Sequence, residues 1–200
     1  SGVAKVSTAK TNAQTIVNTY AAKRDYEKLV AYKDEICNLV SYNDEAASND
    51  YTGGYGDPWQ LIYVFDDDIS TNVVCEGYSK AFQYLCDMST FREDVECYGV
   101  HGLMKNVSTG SGGGHMWNIV KFNGRNYMVD VTNSDVGQSM DMSRGLFMGG
   151  TSGSITGGYV FAGHHFTYYD WTIDLYGSGS DSILNLCGTN YHVHNLSWNT

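Results

Sequence analysis

Asn123-Gly124, set between two runs of β-forming residues, constrains this chain more than any other pair in it. Such a dipeptide adopts the two positive φ angles of a type I′ turn, whose twist matches the strands it joins. His115 to Phe122 and Arg125 to Val131 therefore read as adjacent antiparallel strands. A two-residue loop also sets the register. Phe122 faces Arg125, Trp117 faces Asp130 and His115 faces Thr132. Residues directly opposite share a face, as do alternate residues along one strand. His115, Trp117 and Asp130 thus project from one side, with His115 and Asp130 diagonal neighbours whose backbones lie roughly 7–8 Å apart. A carboxylate at that spacing reaches the imidazole. A slip of one residue would separate the two onto opposite faces.

The second strong pattern follows Cys75. Tyr78, Ala81, Phe82, Leu85 and Cys86 recur at i, i+3, i+4, i+7 and i+8, an amphipathic helix with one buried face. Cys75 stands at its first turn. Upstream, Ala13, Ile16, Val17, Tyr20 and Ala21 repeat at helical spacing, and Leu29, Val30, Ile36, Cys37 and Val40 continue it, so residues 11–42 read as N-terminal helices. Ser1-Gly2 reads as an expression scar outside the fold. The polar, glycine-rich stretch from Asn43 to Gly56 reads as a loop, and Trp59 to Phe65 is ambiguous between helix and strand. Val95 to Val100 and Leu103 to Val107 are further strands, joined to the hairpin by a flexible Gly110 to Gly114 connection. Residues 136–158, rich in Gly, Ser and Met, read as a long loop, and 159–200 as C-terminal strands. Two hundred residues without a repeat make one domain, with its central segment over 57–135. Helices followed by strands predict an α+β fold around an antiparallel sheet.

A carboxylate-oriented histidine has three uses: a satisfied half-buried side chain, a metal ligand with an outer carboxylate, or the base of a nucleophile. The cysteines bear on the third. There are five, so at least one is unpaired within the chain. Cys37, Cys86, Cys97 and Cys187 suit two disulfides or four packed thiols. Cys75 differs by position, because a helix N-terminus favours an anionic sulfur.

Three segments then align with one known family. Val74-Cys75-Glu76-Gly77-Tyr78-Ser79 resembles the nucleophile segment of the transglutaminase-like superfamily, in its bacterial cysteine protease branch. His115-Met116-Trp117-Asn118 resembles its His-x-Trp-Asn strand, and Tyr127-Met128-Val129-Asp130-Val131-Thr132 its Tyr-x-x-Asp-x-Thr strand. The order and separations also suit that family, and the likeness covers roughly residues 36–135. It implies a papain-like core, with the cysteine helix packed on the antiparallel sheet that carries histidine and aspartate. It implies Cys75 as nucleophile, His115 as general base and acid, and Asp130 as the orienting group. Asn133 departs from the pattern, since many relatives carry an aromatic residue there.

The implied chemistry is attack of Cys75 on an amide carbonyl of a protein or peptide. The oxyanion is met by the Cys75 backbone N–H and an upstream side chain, for which Gln60 and Trp59 are the candidates. Tyr78 and Trp117 are candidate substrate contacts. The thioester then goes to water, the favoured hydrolytic reading, or to an amine, as in protein-glutamine cross-linking. A non-catalytic binding or scaffold module is the alternative from another class. No cofactor or metal is expected.

The other features have plainer explanations. A net charge of −10 disfavours nucleic acid and anionic membranes as partners. The longest apolar run, Leu61 to Phe65, is far too short for a membrane-spanning helix. Asp66-Asp67-Asp68 lacks the glycine and terminal glutamate of a calcium-binding helix–loop–helix hand. His164-His165 and His192-Val193-His194 make two pairs without a defined fourth partner, which is weak support for zinc. The acidic, lysine-poor, Gly/Tyr/Asn/Ser-rich composition resembles that of secreted or cell-surface bacterial proteins, so an extracellular or cell-envelope location is expected.

Overall fold

The computed structural model describes residues 2–48, 59–106, 108–135, 146–151, 153–155, 158–160, 166–173 and 186–191. Five helices precede the sheet: α1 (Gly2–Thr19), α2 (Asp25–Leu39), α3 (Asp44–Ala47), α4 (Trp59–Phe65) and α5 (Cys75–Asp87). The strands are β1 (Val95–Asn106), β2 (Gly112–Phe122), β3 (Arg125–Val129), β4 (Phe147–Gly149), β5 (Gly153–Ile155), β6 (Gly158–Val160) and β7 (Phe166–Ile173). They form one sheet in the order β4-β3-β2-β1-β7-β6-β5, antiparallel at every pairing. The fold is α+β.

The hairpin follows from its turn. Asn123 and Gly124 have φ of 49° and 78°, and β2 pairs with β3 from Phe122↔Arg125 to Asn118↔Val129. The pleat then sorts side chains between two cores. Val120, Phe122, Cys97, Tyr127 and Val129 meet Leu29, Ile36, Phe82 and Leu85 of the helical layer. Trp117, Ile119, Val100, Met128, Leu146 and Tyr168 cluster separately, on the opposite parity of the same strands. Helix α5 is held to β2 by polar bonds as well as packing. Ser79 Oγ donates to the Met116 carbonyl at 2.9 Å, and Asn118 Nδ2 donates to the Ser79 carbonyl at 3.0 Å. Helix α2 is tied to the segment before β1. Asp25 accepts the Arg92 and Glu93 N–H groups at 3.0 and 2.6 Å, and Lys28 Nζ reaches the Thr90 carbonyl at 2.7 Å.

Several elements differ from the sequence reading. The first helix begins at Gly2, ahead of the helical pattern legible from residue 11, and Gly2 lies against the Trp59 ring. The two strand candidates before the hairpin are one strand, β1, with an irregularity only in its pairing to β7 between His101 and Leu103. Gly112 to Gly114 are not a flexible connection but part of β2, opposite Leu103 to Lys105. A Cβ on Gly112 would lie 2.0 Å from the Met104 carbonyl oxygen, so this glycine serves close approach of two backbones. The segment read as a long loop contains β4 and β5, and α3 interrupts the loop read from Asn43. Short strands carry too little periodic signal to be separated from glycine-rich loop. In the tail, Leu186 forms an isolated bridge to Asn126, and most of the residues read as a final strand lie outside those described.

Candidate active site

Helix α5 delivers Cys75. Its N-cap is Val74, in extended conformation, whose carbonyl accepts the Gly77 N–H at 2.9 Å. Val74 offers no capping side chain. Its own N–H is donated instead to Gln60 Oε1 of α4 at 3.1 Å, which ties α4 to the residue before the cysteine. Gly77 permits the tight entry, because a Cβ there would stand 2.5 Å from Val73 Cβ.

Strand β2 delivers His115, beyond the last β2–β3 pair. The chain does not continue as a strand to set Thr132 opposite His115. Val131 turns into the right-handed helical region, and Thr132–Ser134 form a 3-10 turn. Asp130 causes the turn-off by capping it. Its Oδ1 accepts the Asn133 N–H at 3.3 Å, and its carbonyl accepts Ser134 Oγ at 2.7 Å. The same carboxylate reaches back to the histidine, with His115 Nε2 and Asp130 Oδ2 2.7 Å apart. With Nε2 so engaged, Nδ1 is the ring nitrogen left to face the neighbouring Cys75 thiol.

All three groups are buried, at 4%, 8% and 0% exposure for Cys75, His115 and Asp130. Burial by itself lowers the basicity of His115, but the Asp130 charge and hydrogen bond, with the neighbouring Cys75 sulfur, outweigh it and raise its pKa from 6.5 to about 10. Burial pushes the Asp130 carboxyl up, yet His115 and the donors Asn133 and Tyr168 hold it below its ordinary range. An imidazolium–carboxylate pair is thus the favoured state.

Two residues missed by the sequence reading complete this cluster. Asn133 Nδ2 donates to Asp130 Oδ2 at 2.7 Å, and the Tyr168 hydroxyl donates to the same oxygen at 2.8 Å. Asn133 was noticed only as a departure from a pattern. Tyr168 gave no signal, because β7 joins the sheet through β1 and not through the hairpin.

The remaining candidates separate. Gln60 is buried beside the Cys75 helix start, as above. Trp59 is half-buried, stacks on Tyr63 at 6.3 Å between centroids and lies against Gly2 of α1. Tyr78 is fully buried and donates its hydroxyl to Asp135 Oδ2 at 2.5 Å, so it is a core group and not a substrate contact. Burial and the Asp135 charge push its phenol far up. Trp117 is also fully buried. It stacks on the His115 ring at 5.8 Å and meets Tyr168 edge-on at 5.1 Å, a wall behind the imidazole and not a substrate surface. Its place on the face shared with His115 follows from the hairpin register; its depth does not.

None of the five cysteines is joined in a disulfide. Cys86 and Cys97 are buried in the helical core, and Cys37 donates to the Val131 carbonyl at 3.7 Å. Asp66 and Asp68 are engaged by Lys5 at 3.0 and 3.2 Å and by the turn donors Thr71 and Ser70, which gives the acidic run a structural use. Among the described residues no cluster of three or more His, Cys, Asp or Glu side chains is placed to hold a metal. His164, His165, His192 and His194 lie outside the described residues. No described helix is long and apolar enough to cross a membrane.

No protein-family model matches the sequence, and no curated protein matches it. Among solved structures, a crystal structure of a TGase is similar at a TM-score of 0.45 and 19% identity, over 68% of this chain. The match spans only about a third (34%) of that structure's length. A likeness of that extent assigns no activity and no residue role here.

Proposed function

We propose that this chain is a thiol-dependent enzyme that cleaves amide bonds of protein or peptide substrates through a thioester on Cys75. The observation that carries the reading is the burial together of Cys75, at the start of α5, and of His115, which lies beside it and is bonded to Asp130 at 2.7 Å. In this reading the Cys75 sulfur attacks the carbonyl carbon as a thiolate, its proton resting on His115. The C–S bond forms, and the carbonyl oxygen becomes an oxyanion. The Cys75 backbone N–H and the Gln60 amide NH2 stabilise it. Gln60 suits this because its oxygen is already spent on Val74, which leaves its nitrogen as the free end. His115 gives its proton to the leaving nitrogen as the C–N bond breaks. Water, deprotonated by His115, then attacks the thioester, releasing a carboxylic acid and restoring the thiol.

The test is alkylation by iodoacetamide near pH 6, read residue by residue by mass spectrometry. Cys75 is expected to label faster than a free thiol, and His115→Ala to remove the advantage. Labelling at the rate of a free thiol, unchanged in His115→Ala, defeats the proposal. Incorporation of a dansylated amine into a glutamine-bearing protein would redirect the thioester from water to amine transfer.

A further inference from the structure

Asp130 Oδ2 receives three donors: His115 Nε2 at 2.7 Å, Asn133 Nδ2 at 2.7 Å and the Tyr168 hydroxyl at 2.8 Å. A carboxylate oxygen can only accept, so it is the amide nitrogen of Asn133 that faces it. That nitrogen also lies 3.4 Å from His115 Nε2, but with both atoms donating to Asp130 the approach is not a bond between them. Three donors share the charge of one oxygen, and each weakens the hold of that oxygen on the others. Orienting the imidazole needs only one of the three. The other two come from separate elements, the 3-10 turn and β7, and converge on this atom although, among the described residues, Oδ1 accepts just the Asn133 N–H.

We propose that Asn133 and Tyr168 are positioning residues that set the basicity of His115, each drawing charge from the Asp130 oxygen that holds the imidazole. The consequence for catalysis rests on the proposed function: a histidine held too tightly as imidazolium surrenders its proton to the leaving amine reluctantly. Tyr168 is suited to the task because burial and the Asp130 charge keep its hydroxyl protonated well beyond the usual phenol range, so it donates at every working pH. The titratable groups facing His115 are Cys75 from α5, Asp130 after β3 and Tyr168 from β7. Trp117, which stacks on the ring, and Asn133 do not titrate.

The test is an NMR titration of 13C-histidine-labelled protein. The His115 ring signal is identified by its loss in His115→Ala, and thermal melts establish folding. Tyr168→Phe removes one donor without changing shape, and Asn133→Ala removes the other. Each is expected to move the His115 midpoint upward by about half to one pH unit, since a less shared carboxylate holds the imidazolium more tightly. In turnover, kcat falls and KM stays. A midpoint that is unmoved or falls in folded Tyr168→Phe and Asn133→Ala overturns the proposal. Loss of cooperative melting in both variants does so too, since the residues are then structural. Because the readout is His115 itself, failure of the proposed function, seen as ordinary Cys75 labelling, is distinguished from failure of this inference.

Discussion

Asp130→Asn is the sharpest perturbation of the site, because it removes one charge and almost no volume. Asp130 is fully buried and bonded to His115 at 2.7 Å. The pKa of His115 stands at about 10 against an ordinary 6.5, although burial alone would take it below 6.5. At about 1.36 kcal/mol per pH unit, that displacement corresponds to roughly 5 kcal/mol favouring imidazolium over imidazole. Removing the charge removes most of it and leaves burial unopposed. His115 in the variant is therefore expected to titrate below its ordinary value and to be largely neutral at pH 7. A midpoint at or below 6.5 leaves at most about a quarter of His115 as imidazolium at pH 7, where native His115 is almost wholly imidazolium, and the rate advantage of Cys75 falls with it. The assay is the second-order rate of Cys75 carbamidomethylation at pH 6 and 7 in native and variant protein, with melting curves to confirm folding. A loss of at least about fourfold at pH 7 is expected. Labelling of folded Asp130→Asn within about threefold of native would refute the electrostatic account, since roughly 5 kcal/mol cannot vanish without a kinetic trace.

The same pair makes stability depend on pH. Because the folded pKa of His115 is raised above its unfolded value, its contribution is complete below about 6.5 and is lost as pH rises towards about 10. Asp130 is depressed, so its contribution is present above its ordinary 3.8 and is lost as pH falls through its folded value. The Tm is expected to decline from pH 6.5 to 10, and that decline to flatten in His115→Gln; a native Tm that is flat over this range contradicts the argument. Gly77→Ala places a methyl against Val73, 2.5 Å from its Cβ, at the start of α5. A cost of about 1–3 kcal/mol in urea unfolding is expected, with slower Cys75 labelling, and a neutral result would show that α5 is less constrained there. Tyr78→Phe removes the hydroxyl donor from the buried Asp135 carboxylate. It should destabilise by about 1–3 kcal/mol while leaving the Cys75 labelling rate of the folded protein unchanged.

Much of the site is legible in the linear sequence because turn and helix geometry are local. Asn123-Gly124 dictates the β2–β3 register, and the register places His115 and Asp130 side by side. The spacing from Tyr78 to Cys86 dictates a helix and puts Cys75 at its start. What local spacing does not encode is depth. Tyr78 and Trp117 belong to the right segments but point into cores, because burial depends on which layers pack on each face of the sheet. The expected extension of β3 towards Thr132 fails for a related reason: Asp130 caps a 3-10 turn, and side-chain capping competes with strand pairing.

The sequence by itself determined the elements that carry Cys75, His115 and Asp130, since each rests on contacts between residues close along the chain. The tertiary structure alone decided who else touches the carboxylate. Tyr168 lies 38 residues beyond Asp130 and arrives on a strand paired to β1. Its hydroxyl meets Oδ2 only because the sheet order sets β7 beside β1, and sheet order is fixed by the packing of whole strands and not by any local signal.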